Sequence, residues 1–316
     1  MRTDQRLAVV SQLMAKLRQV ALGASGTTIS VVGFGAMHLA IGMRGAPEDA
    51  TNLLHHVLDC GITLIDTSDR YCHDEADTHL NEKQIATALA TYSGDTSRVC
   101  VATKGGLLRP GGMWVRFGKP AHIRQTIRES FEALGSDQPI PLWQYHQLDH
   151  NYPLEDTLGA VKDAVDAGLV QHVGVSNFTV PQLERARRIV DIVSVQNEYS
   201  LWCREVERNG VLEYCEREGL TLLAWRPLGG RERAKKLGEN ETLIDLARQR
   251  GTSAQALALA WLLAKSSRVV PIPGSTRLTS VEQSVAASAI ELDGAEMQAL
   301  EAAIDEERPS LRLTDH

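Results

Sequence analysis

The chain predicts a (β/α)8 barrel of parallel strands, on three observations. Eight apolar runs of strand length recur along it, they are continuous rather than alternating, and segments of helical periodicity separate them. A strand buried on both faces has no polar side to show, so continuity is the mark of a parallel sheet covered by helices. Eight such alternations within about 280 residues suit a barrel, whose typical size is about 250 residues. An open doubly wound sheet is the alternative, and it would place its ligand crevice at a reversal of strand order.

In chain order, the first two runs are Val31–Phe34 and Thr63–Asp66. Between them Leu53, Leu54, Val57 and Leu58 repeat on one helix face, and Gly61 follows where a left-handed C-cap is wanted. The third run, Val99–Thr103, leads into a polar connection, Gly105–Pro120, that carries Trp114 and Phe117. Ile123, Ile127, Phe131 and Leu134 then mark a helix that stops at Gly135, before the run Leu142–Tyr145. Leu154, Leu158, Val161 and Val165 mark the next, stopping at Gly168 before His172–Val175. The runs Val193–Gln196, Leu220–Trp225 and Val269–Ile272 complete the set, with Gly219 and Gly251 again at helix ends. The last interval holds two helical patterns, Glu241–Arg250 and Ala254–Lys265, where a minimal barrel needs one. This extra helix and the Gly105–Pro120 connection both leave a strand at its C-terminal end, the face where barrels keep their binding loops.

Residues 1–20 alternate charges with Leu7, Val9, Val10, Leu13, Met14 and Leu17, an amphipathic extension expected to cover the bottom of the barrel. They lack the compact apolar core and small-residue cleavage site of a signal peptide. Residues 21–316 are then one barrel domain. With 316 residues and 43% hydrophobic content the chain can bury a substantial core. A net charge of −7 disfavours a nucleic-acid partner, and no apolar stretch reaches the ~18 residues of a membrane span. Five isolated cysteines, without a C-x-x-C pair, favour a reduced, cytosolic protein. Cys60 and Cys100 are expected in the core, and Cys72 within reach of oxidants.

Polar or ionisable residues close five of the runs. They are Asp66 with Tyr71 soon after, Lys104, His146, Ser176-Asn177 and Gln196-Asn197. In a parallel barrel these ends meet on one face. A phenol, an ammonium, a carboxylate and an imidazole gathered there can deliver a proton to a carbonyl oxygen. Tyr71, with an ordinary pKa of ~10, needs help to do so at neutral pH. Lys104 is expected to lower that value, Asp66 to hold the ammonium, and His146 to fix the direction of the carbonyl. Each residue alone has a plainer reading, such as a turn cap for Asp66 or a snorkelling stem for Lys104. His146 and His150 have no third partner of suitable spacing, so no metal site is expected.

The motifs that carry these residues run from Gly61 through Asp66 to Tyr71, then Ala102-Thr103-Lys104, Trp143-Gln144-Tyr145-His146, Gly174-Val175-Ser176-Asn177-Phe178, Gln196-Asn197-Glu198-Tyr199 and Ile272-Pro273-Gly274-Ser275. In this order, from about Leu22 to about Ile304, the chain resembles the aldo-keto reductase superfamily, with a leaning to bacterial pyridoxal reductase-like members. The resemblance implies a TIM barrel, NADP(H) rather than NAD as cofactor, and a tetrad at Asp66, Tyr71, Lys104 and His146. It implies that Ser176, Asn177 and Gln196 hydrogen-bond the nicotinamide carboxamide and that Trp225, where the family often has Tyr, stacks on the ring. It assigns Pro227, Leu228 and Gly229 to the cofactor-lining turn, and Gly35, Ala36 and Met37, with Asp66, to the nicotinamide ribose side.

At the adenosine end it points to Ser275, Arg277 and Gln283. Arg277 suits a 2′-phosphate, and Ser280-Val281-Glu282-Gln283 reads as a capping box opening the last barrel helix. Here the chain departs from the family pattern. Ser280 replaces a common basic residue, and Gln283-Ser284 replaces an acidic residue followed by Asn.

The implied activity is reduction of small aldehydes or ketones by hydride transfer. Candidate substrate-pocket residues are His38, Cys72, Trp114 and Trp202, with Leu39 and His73 beside them. The alternative class is a cofactor-binding regulatory or redox-sensing subunit with little turnover, as some superfamily members are channel-associated.

Overall fold

In this computed structural model, residues 17–42, 47–135 and 137–307 are described, so most of the amphipathic extension lies outside the described residues. The strands, in chain order, are β1 (Gln19–Ala21), β2 (Thr28–Ser30), β3 (Phe34–Gly35), β4 (Leu64–Asp66), β5 (Cys100–Gly105), β6 (Leu107–Leu108), β7 (Val115–Arg116), β8 (Ile140–Tyr145), β9 (Val170–Ser176), β10 (Ile192–Glu198), β11 (Thr221–Trp225) and β12 (Val269–Pro271). Eight of them form one parallel sheet in the order β3-β4-β5-β8-β9-β10-β11-β12. Strand order follows chain order without reversal, which removes the doubly wound alternative. The edges meet: the Gly33 amide donates to the Pro271 carbonyl at 2.9 Å and the Gly35 amide to the Pro273 carbonyl at 3.1 Å. All eight expected runs therefore become the eight barrel strands.

Inside the barrel, Leu64, Cys100, Ala102, Leu142, Val193, Leu223, Val270 and Ile272 form one apolar layer. Leu22 and Ile29, both fully buried, join it from the antiparallel β1–β2 hairpin, which plugs the N-terminal end. Gly23 makes this plug possible. Its φ is +56°, and a Cβ there would lie 2.4 Å from the Val193 carbonyl oxygen. Among the described residues a hairpin after residue 18, with no counterpart in the periodicity of the chain, covers this end.

Helices pack outside the strands. Helix Pro47–Asp59 buries Leu53, Leu54, Val57 and Leu58, and helix Leu154–Asp166 buries Leu154, Leu158 and Val161, as their spacing predicts. The five predicted stop glycines, Gly61, Gly135, Gly168, Gly219 and Gly251, all have positive φ. Two expectations need amendment. The Gly105–Pro120 connection is not structureless: β6 and β7 pair as an antiparallel hairpin across a turn at Pro110–Gly112. Between β11 and β12 there are three helices, because a short one, Arg231–Leu237, precedes Glu241–Gln249 and Ala254–Lys265. Among the described residues no helix is long and apolar enough to cross a membrane.

Candidate active site

Lys104 sits near the C-terminal end of β5 and is fully buried. An ammonium has three hydrogens to give, and here each has an oxygen. Asp66 Oδ2 accepts at 2.7 Å, the Thr67 carbonyl at 2.8 Å and the Tyr71 hydroxyl at 3.1 Å. Burial works against the charge on Lys104, but Asp66 and Tyr71 hold its pKa above the ordinary value. Asp66 Oδ1 accepts from Gln196 Nε2 at 2.8 Å and from Gln144 Nε2 at 3.4 Å. Four parallel strands thus contribute to a single buried carboxylate.

The Tyr71 phenol does not behave as its neighbours alone suggest. Burial pushes its pKa above the ordinary value, and the lowering by Lys104 does not overcome it because Asp66 adds an opposing negative charge. The expected net lowering is corrected accordingly: Tyr71 keeps its proton at neutral pH. His146, half-buried after β8, stands edge-on to the Tyr71 ring at 6.1 Å between centroids. Burial, helped by Lys104, holds its pKa well below the ordinary value, so the imidazole is neutral.

Behind this group runs a buried polar chain to which the sequence pattern assigns no role. Ser68 Oγ lies 3.4 Å from His146 Nδ1 and donates to Asp69 Oδ1 at 3.0 Å, while Thr126 donates to Asp69 Oδ2 at 2.5 Å. Glu82, fully buried, accepts from Thr103 and lies 2.5 Å from His79 Nδ1.

At the ends of β9, β10 and β11 a second cluster forms. Ser176 donates to the Gln196 carbonyl at 2.8 Å, Asn177 Nδ2 donates to Ser176 Oγ at 3.2 Å, and Trp225 Nε1 donates to Asn177 Oδ1 at 3.1 Å. Asn177 has φ +61°, a left-handed conformation that Asn tolerates better than most residues and that turns its amide back toward His146.

The model of the aldo/keto reductase family matches residues 31–305. The chain belongs to the aldo/keto reductase family. An uncharacterised oxidoreductase of Schizosaccharomyces pombe is 34% identical over 270 residues, covering 84% of this chain and 83% of that one. Among solved structures, a thermostable aldo-keto reductase in complex with the inhibitor epalrestat is 28% identical, with a TM-score of 0.76 over 91% of this chain and 100% of that one. An aldo-keto reductase from Klebsiella pneumoniae in complex with NADPH is 24% identical, with a TM-score of 0.77 over 90% and 94% of the two chains, a likeness of fold.

As an aldo/keto reductase, the chain is expected to hold a nicotinamide cofactor, and the donor set fits one. Ser176, Asn177 and Gln196 offer hydroxyl and amide groups in one cluster, as a planar carboxamide requires. Trp225, partly exposed, has its ring fixed by Asn177. Gly35 and Gly274 let the first and last strands pack closely where the cofactor's ribose side is expected, since a Cβ on Gly35 would lie 2.9 Å from the Ile272 carbonyl oxygen. Ala36 donates its amide to the Asp66 carbonyl, and Met37 opens a short helix beside it. Pro227 and Gly229 are buried with Leu228 between them.

The far end departs from expectation. The helix starts at Leu278 with Arg277 as N-cap, so Ser280 lies inside its first turn and the expected capping box does not form. The turn is instead set by Ser275, whose hydroxyl accepts from the Arg277 amide at 2.9 Å. Arg277 and Gln283 are both exposed.

The candidate pocket residues divide. Trp114, 46% exposed, lies over the site at 6.2 Å from both the Tyr71 and His146 rings. His38 is half-buried beside Gly274; burial, with Arg231 and Arg226, lowers its pKa. His73 is exposed, Leu39 turns into the core, and Trp202 is largely buried against Gly229. Cys72 is the clear correction. It is fully buried, its thiol donates to the Arg70 carbonyl, and burial raises its pKa to about 11, so it neither faces the site nor invites oxidation.

Proposed function

We propose that this chain is an NADP(H)-dependent reductase of small aldehydes or ketones in which Tyr71 supplies the proton. The observation that carries the reading is the Asp66–Lys104–Tyr71 linkage, with its 2.7 and 3.1 Å hydrogen bonds, buried beside a neutral His146. When bound, the cofactor supplies hydride to the carbonyl carbon.

The protein's own residues do the rest. His146 orients the carbonyl oxygen toward the phenol. Tyr71, protonated at neutral pH, gives up its proton only as negative charge grows on that oxygen. Lys104 then stabilises the phenolate at 3.1 Å, and Asp66 keeps the ammonium in place. Ser176, Asn177, Gln196 and Trp225 hold the nicotinamide, and Ser275 and Arg277 take the adenosine phosphate. Five free cysteines agree with a reducing, cytosolic setting.

The test uses pyridoxal, methylglyoxal and nitrobenzaldehyde with NADPH. Tyr71→Phe is expected to lower kcat by about 10²–10⁴-fold while NADPH still quenches protein fluorescence. Wild-type turnover in that variant refutes the assignment.

A further inference from the structure

Arg109 follows β6 and lies in the hairpin above the site. It is only 7% exposed, yet no carboxylate lies within 4.0 Å of its guanidinium among the described residues. Its Nε donates to the Cys72 carbonyl at 3.3 Å, and its buried Nη1 has no hydrogen-bond partner. The nearby carboxylates are engaged elsewhere. Asp77 accepts the His73 and Asp74 amides, and Glu75 accepts the backbone amide of Arg109 itself and lies 3.5 Å from Arg70. Arginine does not shed its proton to escape such a place, so the charge stays.

The guanidinium lies 3.6 Å from the centre of the Trp114 ring. That indole is edge-on to Tyr71 and tilted against His146, so one ring separates the buried charge from the reacting groups. Met113, Trp114 and Val115 are also the exposed large hydrophobic residues of the described chain, and together they give the hairpin tip an apolar surface at the mouth of the site.

A largely covered cation with no carboxylate in contact, acted on by Asp77 only from a distance, is screened less than one in open water. A flat indole in front of it is a surface against which a flat group can lie. We propose that the Trp114–Arg109 stack is a specificity element selecting carbonyl compounds that carry a planar, anionic group, with Arg109 as the counter-charge. This rests on the reductase reading and narrows its substrate class. A purely structural stack, holding the hairpin to the loop after Tyr71, would leave substrate charge without effect.

The experiment compares 4-carboxybenzaldehyde with its neutral methyl ester, under NADPH, in wild type, Arg109→Met and Arg109→Lys. Wild type is expected to prefer the carboxylate by about tenfold or more in kcat/KM, mainly through KM. Arg109→Met should lower kcat/KM for the carboxylate about tenfold more than for the ester, and Arg109→Lys should restore part of the difference. Equal values for the two aldehydes in wild type, or equal losses in Arg109→Met, overturn the proposal.

Fluorescence titration with terephthalate and its dimethyl ester gives a readout that needs no turnover. Tighter binding of the dianion in wild type, lost in Arg109→Met, supports the inference even if neither aldehyde is reduced, an outcome that would sink the reductase reading alone. Equal binding of the two overturns it.

Discussion

Replacing Asp69 by Asn tests whether the polar chain behind His146 is held at a cost. Asp69 is fully buried; it accepts from Ser68 and Thr126, and Arg70 Nε is 3.5 Å away. Burial raises its pKa from an ordinary 3.8 to about 6, with Arg70 opposing and Glu82 adding to the rise. A rise of that size means the folded protein carries the anion at a cost of roughly 3 kcal/mol at neutral pH. Because the folded value is the higher one, the favourable contribution is complete below pH 3.8 and is lost as pH rises through about 6.

Asparagine imitates the protonated acid. Its NH2 can face Ser68 Oγ, whose own hydrogen has a second acceptor in the Lys104 carbonyl at 3.3 Å, while its oxygen still serves Thr126. Urea unfolding of both proteins between pH 4 and pH 7.5 reads the difference. His79, whose pKa is raised against the effect of burial by Glu82 and in smaller part by Asp69, slopes the same way; removing the Asp69 charge reduces that slope in the variant and so adds to its gain as pH rises. Asp69→Asn should gain on wild type by roughly 2–3 kcal/mol as pH rises from 4 to 7. Parallel curves, or a variant less stable by the same amount at every pH, would refute the cost and show that Arg70 pays for the anion.

Two further perturbations bear on the site. Lys104→Met leaves the buried Asp66 carboxylate without its cation and should cost about 3–5 kcal/mol of stability at neutral pH; a loss below 1 kcal/mol in urea unfolding would contradict the buried pairing. Gly35→Ala places a methyl 2.9 Å from the Ile272 carbonyl oxygen and should cost about 1–3 kcal/mol while weakening NADPH binding, read by thermal melting and fluorescence titration. Unchanged values would mean that the strands can part there freely.

Much of the barrel was legible because a doubly buried strand has one sequence signature, and it recurs eight times. What escaped has no periodicity to read. Strands β1, β2, β6 and β7 are two or three residues long, too short to alternate visibly, and their registers come from turns and tertiary contacts. Helix Leu80–Thr91 hid for a different reason: it buries Asn81 and Glu82, so its inward face does not look apolar. The misplaced capping box at Ser280 shows the converse. A spacing can be present while the chain starts its helix elsewhere, where Ser275 satisfies the Arg277 amide first.

The same contrast separates residues that do chemistry from residues that set it. Asp66, Lys104 and His146 stand out because an ionisable group at the end of an apolar run is costly unless something offsets it, and barrel geometry brings the ends together. Gln144, Asp69 and Arg109 give no such sign. Gln144 sits within a motif but two residues before the ionisable His146, Asp69 reads as a turn residue, and Arg109 sits in a Gly/Pro-rich loop that looks solvated. Each acquires its meaning from a partner far along the chain: Gln144 from Asp66, Asp69 from Thr126, Arg109 from Cys72. In the proposed mechanism proton delivery depends on groups tied to the strand ends that every such barrel must bring together, whereas the proposed choice of substrate depends on a hairpin whose contacts no strand pattern dictates. A chain of this fold can alter the second without disturbing the first, and Arg109, stacked on Trp114 above the proposed tetrad, is the form such a change would take here.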